Sequence, residues 1–203
     1  MLDQRVLALS RGLLKPMAAK LLSHEVKADQ VTWIGFLVGL GAIPLIAQGH
    51  TFWAIACIVL NRLADGLDGT IARLTAPTDH GAFLDIALDF LFYSAIPLAF
   101  AIADPAANGL AAAILIYSFV GTGSTFLAFA VLAAKRELAS EDYPNKGFYY
   151  LGGLTEASET IAVFIAMCLF PGWFTLLAYG FSVLCALTTV TRIVAGVRMF
   201  RAS

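Results

Sequence analysis

Residues 65–73 read Asp-Gly-Leu-Asp-Gly-Thr-Ile-Ala-Arg, and residues 81–89 read Gly-Ala-Phe-Leu-Asp-Ile-Ala-Leu-Asp. The aspartates of this stretch stand in or beside segments that are otherwise apolar enough to cross a bilayer. An ionised carboxylate in hydrocarbon is costly, so such groups face a partner or a wet cavity and mark function. Four carboxylates at spacings of three and four residues favour a multiply positive partner. We expect a divalent metal pair that holds a diphosphate.

The composition indicates an integral membrane protein. Hydrophobic residues make up 60% of the 203 residues, charged residues only 13%, and the mean hydropathy is +0.82. In soluble proteins about a quarter of the residues are charged. The formal net charge of −1 offers no electrostatic footprint for a nucleic acid, so no nucleic-acid partner is expected.

Apolar runs and helix breakers divide the chain into two parts and predict an all-α membrane protein. Residues 1–27 form a charged N-terminal segment, and residues 28–203 form a membrane domain with six transmembrane helices. Each crossing needs about 20 mostly apolar residues. The predicted spans cover residues 31–48, 52–73, 81–103, 107–135, 148–170 and 173–200.

The N-terminal segment has a helical period with one apolar face. That face is formed by Leu2, Val6, Leu9, Leu13 and Met17. Arg11 and Lys15 lie on the opposite side, which is typical of an amphipathic helix in the cytoplasmic membrane interface. A frayed basic tail is the alternative, and the periodicity favours the helix.

The distribution of Lys and Arg predicts the orientation in the membrane. Cations precede the first span, follow the second, flank the connection between the fourth and fifth, and close the chain. The connections after the first, third and fifth spans carry none. With six spans every cationic segment lies on one side, which the positive-inside rule assigns to the cytoplasm. Both termini and the aspartates then face the cytoplasm at the inner membrane.

On helices the acids form two stripes. The second predicted span places Asn61, Asp65, Asp68 and Ala72 on one stripe, and the third places Gly81, Asp85 and Asp89 on another. Antiparallel helices joined by a short loop bring such stripes face to face. Converging carboxylates repel one another without cations, and Mg²⁺ or Mn²⁺ suits all-oxygen ligands and also contacts substrate phosphate. Close packing through small residues would explain the glycines but not the acids.

The pattern Asp65-x-x-Asp68-Gly69-x-x-Ala72-Arg73, followed by Gly81-x-x-x-Asp85-x-x-x-Asp89, closely resembles the signature of the CDP-alcohol phosphotransferase family, also called CDP-alcohol phosphatidyltransferases. Six spans with cytoplasmic positive charge agree with that family along the whole chain. Seven residues separate Arg73 from Gly81, where the family pattern has eight. Residues 61–69 and 146–156 also look like a bacterial inner-membrane branch of the family.

The resemblance implies a metal-dependent transferase of phospholipid biosynthesis. Such an enzyme moves a substituted phosphate, usually phosphatidyl, from a CDP-linked donor such as CDP-diacylglycerol onto an alcohol and releases CMP. Asp65, Asp68 and Asp85 would hold one or two Mg²⁺ or Mn²⁺ ions, and Asp89 would complete the metal site or act as the catalytic base. Donor binding would use Asp65, Asp68, Gly69, Ala72, Arg73 and Gly81, with the small residues lining the cytidine site. A homodimer surrounded by membrane lipids is also implied.

The acceptor has weaker signals in the last two spans. Glu156 and Glu159 lie one turn apart, which favours a hydrophilic cavity for a polyol. The alternative is that they meet water near the cytoplasmic end or pair with Arg62 or Arg192. Arg192, deep in the sixth span, suits an acceptor phosphate, because an arginine fork matches phosphate geometry. Acids repel phosphate, so we expect an unphosphorylated polyol.

Two other classes of protein share part of this pattern. Intramembrane prenyltransferases also bind Mg-diphosphate through two acid-rich sequences, but they usually need more helices and separate these sequences further. A non-enzymatic divalent-cation transporter would explain buried carboxylates, but not the fixed offsets of Gly69, Ala72, Arg73 and Gly81, and no inverted repeat is evident. Release of CMP from CDP-diacylglycerol would distinguish both from a CDP-alcohol transferase.

Overall fold

The computed structural model describes residues 14–136 and 154–201, and no strand occurs among them. Residues 14–22 form a short helical segment. The helices that follow are α1 (Ala28–Leu40), α2 (Ala42–Ala47), α3 (Thr51–Leu74), α4 (Asp79–Ala103), α5 (Pro105–Lys135), α6 (Ala157–Leu169) and α7 (Phe174–Arg201). A 3₁₀ turn, Pro171–Trp173, joins α6 to α7.

Within residues 14–136 and 154–201, four helical stretches are long and apolar enough to cross a membrane, by length and composition. They are Ala28–Ala47, Asp79–Ala103, Pro105–Lys135 and Pro171–Arg201. These stretches match the first, third, fourth and sixth predicted spans, so the all-helical membrane fold is confirmed. Helix α3, with 24 residues, matches the second span but carries Arg62, Asp65 and Asp68 in its apolar sequence. The number of six spans stays a prediction.

The fifth predicted span differs most from the structure. Helix α6 has 13 residues and begins at Ala157, whereas the sequence predicts a helix from residue 148. Leu154 and Thr155 form a bend just before it. Residues 148–153 lie outside the described part of the chain.

Side chains cap the N-termini of α4 and α5. Thr78 precedes α4, and its Oγ1 accepts a hydrogen bond from the backbone N–H of Gly81 at 3.0 Å. Asp104 precedes α5, accepts from the backbone N–H of Ala107 at 3.0 Å, and is followed by Pro105, whose fixed φ suits a first helical position. These caps satisfy N–H groups that a helix leaves unpaired. The chain can therefore turn from α4 into α5 at a single residue.

The larger apolar core joins α4 to the C-terminal helices. Phe100 of α4 stacks on Phe174 of α7, with ring centroids 4.4 Å apart. Phe119 of α5 meets Phe164 of α6 edge to face at 6.1 Å. In a bilayer, close packing holds helices together, since lipid is as apolar as the side chains. These interlocked rings therefore fix α4 in place.

A smaller core attaches the N-terminal helical segment to α1 and α3. It contains Leu14, Ala18, Val31, Leu67 and Ile71. Gly66 permits the close approach, because a Cβ there would lie 2.9 Å from Leu14 Cδ1. Met17, part of the predicted apolar face, is 55% exposed. The rest of that face belongs to residues 1–13, which lie outside the described residues. The membrane-interface role of the segment and the boundary at residue 27 stay predictions.

Candidate active site

A cleft opens between α3 and α4, which are joined by residues 75–78. Helix α1 packs against both of them and closes one side. The cleft is lined by Thr32, Gly35, Phe36, Asn61, Arg62, Asp65, Asp68, Asp85, Leu88 and Asp89. All four aspartates of the sequence pattern are in this lining.

Three of the four aspartates converge closely. Asp65 from α3 and Asp85 and Asp89 from α4 each offer a carboxylate oxygen, and these oxygens lie within 4.8 Å of one another. The short connection between Arg73 and Gly81 does not keep them apart. Three carboxylates at this separation suit Mg²⁺ or Mn²⁺, which prefer oxygen ligands. The residues present therefore fit a divalent metal ion.

Asp68 lies in the same cleft but outside the three-acid group. Asp68 is 5% exposed, and its Oδ2 accepts a hydrogen bond from Thr32 Oγ1 at 2.5 Å. The Thr32 hydroxyl also lies 3.1 Å from the carbonyl oxygen of Ala28, one turn earlier in α1. Thr32 thus holds Asp68 against α1, beside the other acids.

Arg62 brings a positive charge among the carboxylates. Its Nη2 donates to Asp89 Oδ1 at 2.6 Å, across the cleft. Its Nη1 lies 3.6 Å from Asp65 Oδ2, one turn along α3. The sequence suggests pairing with a glutamate of the fifth span as an alternative, whereas the shortest ionic contact that the structure gives Arg62 is with Asp89.

Neighbours from α1, α3 and α4 hold the Arg62 side chain. Asn61 Oδ1 accepts from Arg62 Nε at 2.9 Å and from Nη2 at 2.7 Å, while Asn61 Nδ2 donates to the carbonyl of Gly35 at 3.0 Å. The Tyr93 hydroxyl accepts from Arg62 Nη1 at 3.2 Å and donates to Asp89 Oδ2 at 3.3 Å. Both oxygens of Asp89 therefore meet fixed donors.

The other predicted donor-binding residues lie at the end of α3 and the start of α4. Arg73 Nη2 donates to Thr70 Oγ1 at 3.1 Å, and a Cβ on Gly69 would come 3.2 Å from Arg73 Nη1. A Cβ on Gly81 would come 3.3 Å from Asp29 Oδ1. Small residues here let charged side chains lie along the backbone. Ala72 is half-buried between these positions.

The two glutamates predicted to bind the acceptor lie at the start of α6. Glu156 is the N-cap residue and Glu159 is the third helical residue, and each side chain accepts from the other's backbone N–H in a capping box. Glu159 Oε2 lies 3.2 Å from the Glu156 nitrogen and 3.3 Å from Ser158 Oγ. Neither glutamate belongs to the cleft lining. Capping thus accounts for the positions of both glutamates at the start of α6.

Arg192 lies buried between α5 and α7. The residue is 7% exposed, its Nη1 donates to the carbonyl of Thr122 at 3.1 Å, and its guanidinium carbon lies 5.6 Å from the Phe126 ring centre. The neighbouring Gly123 lies against Phe90, since a Cβ there would come 2.6 Å from the Phe90 ring. Phe90 follows Asp89 in α4, so Arg192 lies on the side of α4 that faces α5.

Sequence reasoning missed the parts that Thr32 and Tyr93 play in the site. Tyr93 lies four residues after Asp89, so the helical period places it on the same stripe as the acids. Thr32 contacts Asp68 across 36 residues of sequence, and no local pattern links the two.

The fold and the site define a helical membrane protein with a carboxylate centre suited to a divalent metal. The family model for CDP-alcohol phosphatidyltransferases matches residues 26–194. This chain therefore belongs to the CDP-alcohol phosphatidyltransferase family, as the sequence pattern predicts.

Similar proteins are found in several bacteria. The inner membrane protein YnjF of Escherichia coli K12 is 47% identical over 196 residues, which cover 97% of this chain and 95% of that protein. A phosphatidylinositol phosphate synthase of Mycobacteroides abscessus is 30% identical over 167 residues, 78% of this chain and 69% of that protein. The relation to an inner membrane protein supports the predicted inner-membrane location.

Solved structures share the fold. The phosphatidylinositol phosphate synthase of Mycobacterium tuberculosis, crystallised with CDP-DAG, has a TM-score of 0.68 at 21% identity, covering 90% of this chain and 92% of that chain. A crystal structure of the same protein with manganese and citrate has a TM-score of 0.67 at 23% identity, covering 90% and 88%.

Proposed function

We propose that this protein transfers a phosphatidyl group from CDP-diacylglycerol to the hydroxyl of an alcohol and releases CMP. The convergence of Asp65, Asp85 and Asp89 within 4.8 Å, in a cleft that also holds Asp68, carries the proposal. Family membership supplies the reaction class. The M. tuberculosis protein with the same fold binds CDP-DAG in its crystal structure, which supports the choice of donor.

The cofactor is one or two Mg²⁺ or Mn²⁺ ions, held by Asp65, Asp68, Asp85 and Asp89. The same M. tuberculosis protein crystallises with manganese. A divalent ion bound to these acids supplies positive charge for the donor diphosphate and the departing CMP. The fixed offsets of Gly69, Ala72, Arg73 and Gly81 beside these acids, together with the family match, favour this reaction over prenyl transfer and cation transport.

The reaction exchanges one phosphorus–oxygen bond for another. The acceptor oxygen attacks the phosphatidyl phosphorus, the bond from that phosphorus to the bridging oxygen breaks, and CMP leaves with the bridging oxygen and its electron pair. Asp89 accepts the hydroxyl proton at its carboxylate. Arg62 Nη2, 2.6 Å from Asp89 Oδ1, orients this carboxylate in the cleft. A base in this position accelerates transfer by about a hundredfold or more.

The nucleotide lies beyond the acids, toward the connection between α3 and α4. Gly69, Ala72 and Gly81 line the cytidine, because their small side chains leave space beside the backbone. Arg73 lies along Gly69, within 3.2 Å of a Cβ built there, and reaches the nucleotide phosphates from that position. We propose that this end of the cleft and both termini face the cytoplasm, in agreement with the distribution of Lys and Arg.

We place the acceptor side of the site toward α5 and α7, where Arg192 lies buried. Because capping engages Glu156 and Glu159, the contacts favour Arg192 as the acceptor-binding residue. A buried guanidinium suits an acceptor that carries phosphate. The proposal therefore shifts from the unphosphorylated polyol expected from the sequence toward a phosphorylated small alcohol. Assembly as a homodimer among membrane lipids is part of the same proposal.

The test is CMP release by the purified protein from CDP-diacylglycerol in mixed micelles. Acceptors are glycerol 3-phosphate, inositol phosphate, serine, choline and free polyols, and the lipid product is identified by mass spectrometry. Asp85→Asn is the inactive control, since the amide keeps the shape of the side chain but ligates metal poorly. We expect acceptor-dependent CMP release from the wild type alone. A folded wild-type protein that releases no CMP with any acceptor would contradict the proposal.

A further inference from the structure

We propose that Arg62 is a positioning residue that orients Asp89 and, at the same time, weakens the binding of a divalent ion by the acids. The inference rests on the proposed function, in which Asp89 takes part in the transfer. Arg62 is not one of the residues that the family pattern assigns to metal or donor binding.

The first part of the inference follows from how completely Arg62 is held. All three guanidinium nitrogens make contacts: Nε and Nη2 with Asn61, Nη2 also with Asp89, and Nη1 with Tyr93. The rings of Phe92 and Tyr93 lie 5.2 and 5.4 Å from the guanidinium carbon. The Arg62 side chain is 16% exposed. A planar guanidinium that is held by this many neighbours keeps the contacting carboxylate of Asp89 in one orientation.

The second part follows from the position of the charge. The guanidinium lies 2.6 Å from Asp89 Oδ1 and 3.6 Å from Asp65 Oδ2. Both carboxylates belong to the group of three that suits a metal ion. A fixed positive charge this close offsets part of their negative charge and repels an arriving dication. Removing Arg62 should therefore tighten metal binding while it slows transfer.

These opposite effects separate positioning from a merely structural role. If Arg62 only held the helices together, its loss would loosen the acids and weaken metal binding along with turnover. Tyr93 offers an uncharged comparison, because its hydroxyl lies 3.2 Å from Arg62 Nη1 and 3.3 Å from Asp89 Oδ2. Removing that hydroxyl disturbs the orientation of Asp89 without changing the charge.

The experiment measures Mn²⁺ affinity of the full-length protein without substrate, from the electron paramagnetic resonance signal of free Mn²⁺, together with CMP release. Arg62→Met should bind Mn²⁺ about tenfold more tightly, because an opposing charge is gone. The same variant should release CMP about a hundredfold more slowly, because the Asp89 carboxylate is no longer held in the orientation for proton transfer.

Three companion variants sharpen the comparison. Arg62→Lys keeps the charge, so its Mn²⁺ affinity should stay near wild type while part of the rate is recovered. Tyr93→Phe should keep Mn²⁺ affinity and lose about tenfold in rate, the effect of one lost hydrogen bond in the reacting geometry. Arg198→Met removes an exposed arginine of α7 and should change neither quantity.

An unchanged or weaker Mn²⁺ affinity in a folded Arg62→Met would overturn the inference. If Arg62→Met does not fold, the other two site variants decide: lower rates at wild-type affinity support the inference, and wild-type rates in both overturn it. A wild type that releases no CMP contradicts the proposed function instead. In that case tighter Mn²⁺ binding by Arg62→Met would still support the electrostatic role of Arg62.

Discussion

The helix pair α3–α4 and the helix pair α5–α7 differ in the polar side chains that they bury. In α3 and α4, ionic side chains face an open cleft and contact one another, as Arg62 does with Asp89 at 2.6 Å. In α5 and α7, side-chain hydroxyls donate hydrogen bonds to backbone carbonyls of their own helices. Ser118 donates to the carbonyl of Leu115 at 2.7 Å, and Ser182 donates to that of Ala178 at 2.7 Å.

This difference separates groups that can meet a ligand from groups that serve packing. A hydroxyl bonded to its own helix costs little in a bilayer and offers little to a substrate. Clustered carboxylates are costly unless cations accompany them, so their presence requires a reason beyond folding. We therefore assign the metal binding and the transfer step to the α3–α4 cleft and expect its variants to have the largest effects.

The largest effect is expected at the metal ligands. Asp85→Asn or Asp68→Asn should abolish CMP release, because an amide ligates a hard dication poorly. Excess chelator should abolish the activity of the wild type, and Mg²⁺ or Mn²⁺ should restore it. Asp79→Asn, an exposed acid earlier in α4, is the matched control and should behave as wild type. Full activity of Asp85→Asn or Asp68→Asn would refute the metal assignment.

The second-largest effect on turnover is expected for substitution of Asp89. If Asp89 is chiefly the base and the other three acids carry the metal, Asp89→Asn should bind the CDP donor and Mn²⁺ almost normally and turn over about a hundredfold more slowly. Equilibrium binding of the donor, measured beside the single-turnover rate, checks this. Loss of donor binding in the variant would instead show that Asp89 is chiefly a metal ligand.

Much of the α3–α4 half could be predicted from the sequence, because its signals are local. Apolar length gives the helices, and the period of 3.6 residues puts Asp65 and Asp68 on one face and Asp85 and Asp89 on another. Periodicity predicts which residues share one face of a helix, but not which residues of a neighbouring helix they contact. The pairing of Arg62 with Asp89, 27 residues apart, therefore depends on the tertiary structure.

The C-terminal half was harder to predict because one helix boundary decides the interpretation. With a helix from residue 148, Glu156 and Glu159 are membrane acids and favour a cavity. With α6 beginning at Ala157, the same residues occupy the N-cap and third positions, where glutamate is a common capping partner. An error of several residues in the predicted start of α6 thus changes the role that the sequence suggests for Glu156 and Glu159.

An intermediate effect is expected at Arg192. Arg192→Gln should raise the KM for a phosphorylated acceptor by about tenfold or more, since a hydrogen bond to a charged group is lost. Donor affinity should not change, because Arg192 does not belong to the α3–α4 cleft lining. Steady-state kinetics with each substrate varied in turn measures both. If an unphosphorylated polyol is the best acceptor and Arg192→Gln leaves its KM unchanged, the acceptor proposal is wrong.

The smallest effect is expected at Glu159, where two substitutions separate capping from acceptor binding. Glutamine at the third helical position keeps an oxygen that can accept from the Glu156 backbone N–H, 3.2 Å away, whereas alanine removes it. If capping is the whole role, Glu159→Gln should leave stability and kinetics unchanged. Glu159→Ala should then lower the free energy of unfolding by about 0.5–2 kcal/mol, the usual cost of a lost cap, while the acceptor KM stays the same. Thermal unfolding in detergent and acceptor kinetics on both variants check this. A raised acceptor KM in the stable Glu159→Gln would show that the carboxylate itself contacts the acceptor, and α6 would then join α3, α4 and α7 as a helix that carries a charged side chain for substrate binding.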